Sequence, residues 1–167
     1  PGEVMRGFGC GEVIESNNQH FAVGDWVAGF TGMQTHAVLN PAMLQKVDTS
    51  NTPAQYYLSG LGWTGYTAYF GMLDIGKPQA GQTVVVSAAS GAVGSIASQL
   101  ARDAGARVIG IAGGAEKTRF LLDELKLDAA IDYKNDDVSA ALKEKAPDGI
   151  DVYFDNVGGD ILDAVLM

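Results

Sequence analysis

One stretch constrains the fold more than any other: Val84-Val85-Val86-Ser87-Ala88-Ala89-Ser90-Gly91-Ala92-Val93-Gly94. A short Val-rich run is what a strand covered on both faces requires. The small residues that follow read as a tight turn. Apolar residues then recur at Val93, Ile96, Ala97, Leu100, Ala101 and Ala104, the three-and-four spacing of one helical face. Gly105 stops that helix. Aligned on its last glycine, the turn reads A-x-G-x-x-G, with Ala89, Gly91 and Gly94 at the fixed positions. Strand, glycine turn and helix in this order form a phosphate-binding element. Gly91 lets the backbone approach a pyrophosphate, and Gly94 lets the helix pack close to the strand. The free N–H groups at the helix start then face the phosphates. The alternative is a tight turn whose small residues serve packing only.

The pattern continues downstream. Arg107 to Ala112 reads as a second strand and Ala115 to about Lys126 as a second helix. Ala129 to Asp132 reads as a third strand, Asp136 to Lys145 as a third helix and Asp151 to Asp155 as a fourth strand. A further helix begins at Asp160. Asp136 falls where negative charge favours a helix start. Strand–helix alternation implies a parallel sheet with helices on both faces. Four strands fall short of the usual count of about six, so the sheet is expected to be incomplete or finished by another chain. Pro1 to about Asn51 has a different texture, rich in Gly and short β-like pieces: Val4-Met5, Glu12 to Glu15, Trp26 to Ala28 and Ala37 to Leu39. Phe21 to Val27 reads as a turn feeding a strand. The expected class is α/β: a partial Rossmann domain (a doubly wound parallel sheet), with its connecting helix, over residues 53–167, preceded by part of a β-barrel over residues 1–52.

The tip of the second strand bears on nucleotide choice. Folds that bind the unphosphorylated dinucleotide place an acid there, roughly 20 residues past the glycines, to grip the ribose 2′-hydroxyl. Here the strand ends Ile109-Gly110-Ile111-Ala112-Gly113-Gly114, without an acid. Gly113 and Gly114 leave room for a 2′-phosphate. Lys117 follows in the first turn of the next helix, where an ammonium can meet a phosphate as a point charge. Tyr133, just past the third strand, can hydrogen-bond the same group. The plainer readings are a solvated lysine and a half-buried packing tyrosine.

Composition excludes several classes. A formal charge of -9 argues against general nucleic-acid binding, which wants a basic face. No apolar stretch is long enough to span a membrane and none reads as a signal peptide. A cytoplasmic location is expected. The candidate metal ligands are few: Cys10, His20 and His36, all in the β-like part. One thiol and two imidazoles do not make a zinc site, so no metal is expected. The start at Pro1 and the end at Met167, soon after a helix pattern begins, read as cut ends.

Several segments together carry a resemblance. Gly60-Leu61-Gly62-Trp63-Thr64-Gly65-Tyr66-Thr67-Ala68-Tyr69-Phe70-Gly71 resembles the segment before the cofactor domain in the prostaglandin reductase and curcumin reductase branch of the zinc-independent medium-chain dehydrogenases/reductases. Ala88 to Gly94 is similar to that branch's phosphate loop, and Ala112 to Lys117 to its 2′-phosphate site. Phe154-Asp155-Asn156-Val157-Gly158-Gly159 resembles a further motif, as do Gly2 to Gly7 and Glu15 to Asn17. The resemblance implies a GroES-like N-terminal barrel, NADP(H) as cofactor and hydride addition to the activated C=C bond of an α,β-unsaturated carbonyl. It places Gly91, Ala92, Val93 and Gly94 on the pyrophosphate, Gly113, Lys117 and Tyr133 at the 2′-phosphate, and Asn156 near the cofactor. The plainer reading of Asn156 is a turn former, and Tyr66 and Thr67 read equally as neighbours of the nicotinamide or as a packed helix start. No catalytic residue is singled out. A quinone reductase of the same superfamily and a non-catalytic NADP-binding or interaction module are the other readings. A homodimer that continues the sheet is expected from its open edge.

Overall fold

The computed structural model describes residues 2–167. The chain divides into two compact units, Pro1–Trp63 and Thr64–Met167.

The first unit holds a three-stranded antiparallel sheet in the order β1 (Gly9–Glu12), β2 (Trp26–Gly29), β3 (Leu44–Val47). Trp26 lies opposite Glu12 on one side and Val47 on the other. Gly24, at φ +92°, makes the turn into β2, as the Phe21–Val27 pattern predicts. Other expectations here need correction. The first strand is Gly9–Glu12 rather than Glu12–Glu15, and neither Val4-Met5 nor Ala37–Leu39 forms a strand. Val4, Met5 and Val38 are exposed, so nothing rewards their apolar character. Leu44–Val47 takes the third position because Val47 buries there while Lys46 reaches Asp25 at 2.6 Å. Pairing partner and burial decide strands here, more than local propensity.

The second unit is the parallel sheet. Its strands are β4 (Thr83–Val86), β5 (Arg107–Ala112), β6 (Ala129–Asp132) and β7 (Val152–Phe154), in the order β6-β5-β4-β7. All three pairings are parallel. This is the order of the first four strands of a doubly wound dinucleotide fold. The helices are α1 (Trp63–Tyr69), prolonged by a π-helical segment Phe70–Gly76, α2 (Ala92–Asp103), α3 (Ala115–Asp123), α4 (Val138–Lys145) and α5 (Gly159–Leu166).

Side chains alternate across the sheet, and the core divides accordingly. Val84, Val86, Val108 and Ala112 face Ala68, Met72, Ala97, Ala101 and Leu121. Val85, Ile109, Ile111 and Ile131 face Leu142 and Ala146, with Ile161 and Val165 packed against them. Val84, Val85, Val86, Ile109 and Ile131 are fully buried, each burial stabilising by about 1.5–3 kcal/mol. Carboxylates fix the strand starts. Asp151 Oδ2 accepts the Thr83 N–H at 2.8 Å and Asp128 Oδ2 the Val108 N–H at 2.7 Å.

The strands of this unit fall where their apolar runs place them, with small shifts at element ends. Helix α3 stops at Asp123 rather than near Lys126, which lies at φ +56° beyond it. Helix α4 starts at Val138, not Asp136: the Asp137 side chain caps it by accepting the Ala140 N–H at 3.0 Å, while Asp136 Oδ2 accepts the Asp132 N–H at 2.9 Å.

Candidate nucleotide site

Gly91–Gly94, Gly113, Lys117, Tyr133 and Asn156 follow the carboxyl ends of the four parallel strands, whereas Tyr66 and Thr67 lie in α1. The turn after β4 is held from several sides. Ala89 N–H donates to Ile111 O at 3.0 Å, tying the turn to β5, and Gly91 N–H donates to Ala88 O at 2.8 Å. Ala88 takes a left-handed conformation, φ +45°. A Cβ on Gly94 would run into Ala88 O and lie 2.8 Å from Ala89 Cα, so the helix can approach this strand only with glycine there. Gly91 differs: a Cβ there would meet only Ala88 O, at 3.1 Å. Its bareness opens space on the outer side.

Gly91 is also the N-cap of α2, with no side chain capping the helix. Ser95 N–H donates back to Gly91 O at 2.9 Å. The N–H groups of Ala92, Val93 and Gly94 precede that bond and have no partner within the helix. Bare amides, an uncapped helix start and an open outer face fit an anionic pyrophosphate.

The turn after β5 is organised by a residue the sequence reading passed over. Asp132, at the end of β6, is buried. Its Oδ1 accepts the Gly114 N–H at 2.7 Å and the Lys134 N–H at 3.1 Å, and its Oδ2 accepts Asn135 Nδ2 at 2.7 Å. The Gly114 amide is the foremost of the donors that hold its carboxyl below the usual carboxylate range. Gly114, at φ +100°, is the N-cap of α3. Lys117 N–H donates to Gly114 O at 3.1 Å, which seats Lys117 in the first turn. Its side chain is exposed and forms no ion pair among the described residues. The Tyr133 ring lies against Gly113, where a Cβ would stand 2.8 Å from Cε1, Cζ and Oη. Gly113, Lys117 and Tyr133 thus gather around one turn.

The end of β7 is locked to β4. Ser87 is fully buried. Its Oγ donates to Asp155 Oδ1 at 3.1 Å and accepts the Asn156 N–H at 2.8 Å. Asn156 Nδ2 donates to Ser87 O at 2.9 Å, so the amide is committed to the neighbouring strand. Asp155 Oδ1 also accepts Tyr153 Oη and the N–H groups of Val157 and Gly158, each at 2.9 Å. The Gly158 amide leads the causes that hold this carboxyl low. Burial, foremost, pushes the Tyr153 phenol up to about 12. An open groove of about 540 Å³ connects Tyr133 with Val157 and Gly158, floored by Val138, Ser139 and Ile161.

Ser87, Asp132 and Asp155 were not legible as site residues. The bonds that tie each of them to another strand's end span 18 to 69 positions, and the sheet order brings those partners together. The one sequence signal for Asp132 is an acid ending the third strand, next to the strand tip that lacks one. Among the described residues no group of three or more His, Cys, Asp or Glu could hold a metal ion. No helix among them is long and apolar enough to cross a membrane.

A parallel β6-β5-β4-β7 sheet with a glycine turn after β4 has the architecture of a dinucleotide-binding domain. Comparison with known proteins places it further. A family described as zinc-binding dehydrogenase matches residues 92–167, and the N-terminal domain of oxidoreductase matches residues 1–47. The NADP(+)-dependent 2-alkenal reductase of Nicotiana tabacum is 45% identical over 100% of this chain and 49% of its own length. The NADPH-dependent curcumin reductase of Escherichia coli (strain K12) is 42% identical over 99% of this chain and 48% of its own. The crystal structure of CurA in complex with NADPH from Vibrio vulnificus superposes with a TM-score of 0.90 at 44% identity, covering 98% of this chain and 49% of that one. The chain belongs to the medium-chain dehydrogenase/reductase superfamily, in the branch of the prostaglandin, alkenal and curcumin reductases. It spans about half the length of the curated relatives it matches.

Proposed function

We propose that the chain is the nucleotide-binding part of an NADPH-dependent reductase that saturates the activated C=C bond of α,β-unsaturated carbonyl compounds. The observation that carries the reading is the pairing of two features on one sheet edge. One is the bare start of α2 at Gly91–Gly94, and the other is the acid-free turn where Gly113, Lys117 and Tyr133 converge. The relatives named for NADP(H) and for alkenal or curcumin reduction support it.

In this reading the amides of Ala92, Val93 and Gly94 bind the pyrophosphate, and the Lys117 ammonium and Tyr133 hydroxyl bind the 2′-phosphate. The NADPH so held would supply the hydride for the β-carbon of an α,β-unsaturated carbonyl substrate. Ser87 and Asp155 hold the Asn156–Gly158 turn at the switch point beside β4, where ligands of such sheets lie. Asn156 Nδ2 donates to Ser87 O, so in this reading the side-chain amide holds the turn against β4.

Titration of NADPH and NADH into this chain, followed by nucleotide fluorescence and repeated with Lys117→Ala, tests the reading. Tighter binding of NADPH, lost in the variant, is expected. Equal affinity for the two nucleotides, or binding of neither, overturns it. With a protein of the relatives' full length, an enone and a quinone offered side by side test the substrate class: turnover of the quinone alone refutes the C=C assignment.

A further inference from the structure

Asp132 raises a question of charge. It ends the strand next to the proposed 2′-phosphate site, and a carboxylate close to a phosphate ordinarily repels it. Yet both Asp132 oxygens are turned inward and occupied. Oδ1 takes the amides of Gly114 and Lys134, and Oδ2 takes the Asn135 side chain. These donors spread the charge over protein groups rather than presenting it to a ligand.

The same bonds tie together the two segments that carry the phosphate ligands. Gly114 is the cap from which α3 starts, and Lys117 hangs from it through a bond to Gly114 O. Tyr133 follows Asp132 directly, its N–H donating to Ala112 O at 3.1 Å and its ring lying over Gly113. One carboxylate therefore sets the spacing between ammonium and phenol. We infer that Asp132 is the positioning residue for nucleotide choice, holding the Gly113–Lys117 turn and Tyr133 in the register that receives a 2′-phosphate, without touching the nucleotide itself. The inference rests on the NADPH reading.

It predicts an effect on selectivity rather than on binding in general. NADH and NADPH share the pyrophosphate, which lies at the α2 turn away from Asp132. Only NADPH needs Lys117 and Tyr133 in register. Asp132→Ala frees Gly114 and leaves the spacing unset. Asp132→Asn keeps one acceptor for Gly114 but presents an NH2 to a neighbouring donor, so it restores the spacing in part.

The experiment is a pair of fluorescence titrations, NADPH and NADH, on the parent chain, Asp132→Ala, Asp132→Asn and Asn135→Ala, with far-UV circular dichroism as the check on folding. Asp132→Ala is expected to weaken NADPH by about tenfold and leave NADH within about twofold. Asp132→Asn is expected to lose about threefold in preference. Asn135→Ala, which leaves the Gly114 bond in place, keeps the parent's preference. Should Asp132→Ala fail to fold, Asp132→Asn decides: a reduced preference in a folded chain supports the inference and an unchanged one overturns it. Equal weakening of both nucleotides makes Asp132 a merely structural residue and overturns it too. If the parent itself shows no preference, the NADPH reading has failed. If the parent prefers NADPH and Asp132→Ala prefers it equally, the inference alone has failed.

Discussion

The contact between Gly113 and Tyr133 gives a sharp test of the proposed 2′-phosphate site. In Gly113→Ala the new methyl would stand 2.8 Å from three atoms of the ring. Ordinary carbon contacts begin near 3.5 Å, so the ring must retreat by about half an ångström or more. It has somewhere to go, because Tyr133 is 46% exposed. Its backbone stays, fixed to Ala112 O. The ring swings outward and little else moves. Replacing glycine reduces the freedom of the unfolded chain, which favours the variant by about 0.4–1 kcal/mol and offsets the lost packing. Stability should therefore change by less than about 1 kcal/mol. Binding should not escape so lightly. A hydrogen bond to a charged group contributes about 1.5–3 kcal/mol, so NADPH should bind roughly tenfold to a hundredfold more weakly. NADH should be unaffected. Nucleotide titrations beside urea melts measure both quantities. Tyr133→Phe supplies the cycle: once the hydroxyl is gone, Gly113→Ala should add little. Unchanged NADPH affinity in Gly113→Ala, with the fold intact, would refute the placement of the Tyr133 hydroxyl on the phosphate.

Three further outcomes follow from the second unit. Ser98 is fully buried in α2 and its hydroxyl has no hydrogen-bond partner. Ser98→Ala should stabilise the chain by about 1–3 kcal/mol, read as a higher urea midpoint at constant slope; a lower midpoint would show that the hydroxyl is bonded after all. Gly110→Ala should do the reverse, although alanine is the better strand residue. Its Cβ would lie 2.7 Å from Leu121 Cδ1 and 3.0 Å from both Ala89 Cβ and Leu127 Cδ1, and overpacking of about 1–3 kcal/mol exceeds a gain of about 0.5–1 kcal/mol. The third concerns alkaline pH. The Tyr153 phenol is pushed up to about 12, while an unfolded tyrosine titrates near 10. The folded state thus disfavours the phenolate. The stability this confers is complete below pH ~10 and lost as pH rises towards ~12. Tyr153→Phe should flatten that decline in a pH series of melts, and an unchanged decline would assign it to other groups.

How much of this could be read beforehand depends on how local the determining interactions are. Strands β4 to β7 were legible because a strand buried on both faces must be apolar at successive positions, as Val84-Val85-Val86 is. Helix α2 was legible from its stripe. The first unit was legible only in part: Trp26–Ala28 reads as β-like and lies in β2, but Gly9-Cys10-Gly11-Glu12 has nothing strand-like in it and forms β1 by pairing with Trp26–Gly29. The glycine turn announced itself through spacing, and Gly113 through the lack of an acid. The hubs stayed hidden. Ser87 looks like a small residue at a strand end until Asp155 and Asn156 arrive beside it. The resemblance placed Asn156 near the cofactor, and nothing local showed that its amide nitrogen would be bound to Ser87 O.

A chain with a formal charge of -9 that is proposed to receive a polyanion must keep its carboxylates from opposing it, and their arrangement is consistent with that. Asp128 and Asp151 stand at the amino ends of the strands, capping Val108 and Thr83, at the far end of the sheet from the glycine turn. Asp132 and Asp155 stand at the ligand end, and each is turned onto protein donors, three for Asp132 and four for Asp155 Oδ1. Glu116 is exposed in the first turn of α3, where it favours the helix start and solvent screens it. Asp132 and Asp155 thus serve as the means by which backbone turns are fixed, while Glu116 and Asp160 stay exposed in the first turns of α3 and α5. Removing an acid such as Asp132 lowers the formal negative charge yet should weaken NADPH. Simple charge counting predicts the opposite sign, and the Asp132→Ala titration therefore separates positioning from electrostatics in one measurement.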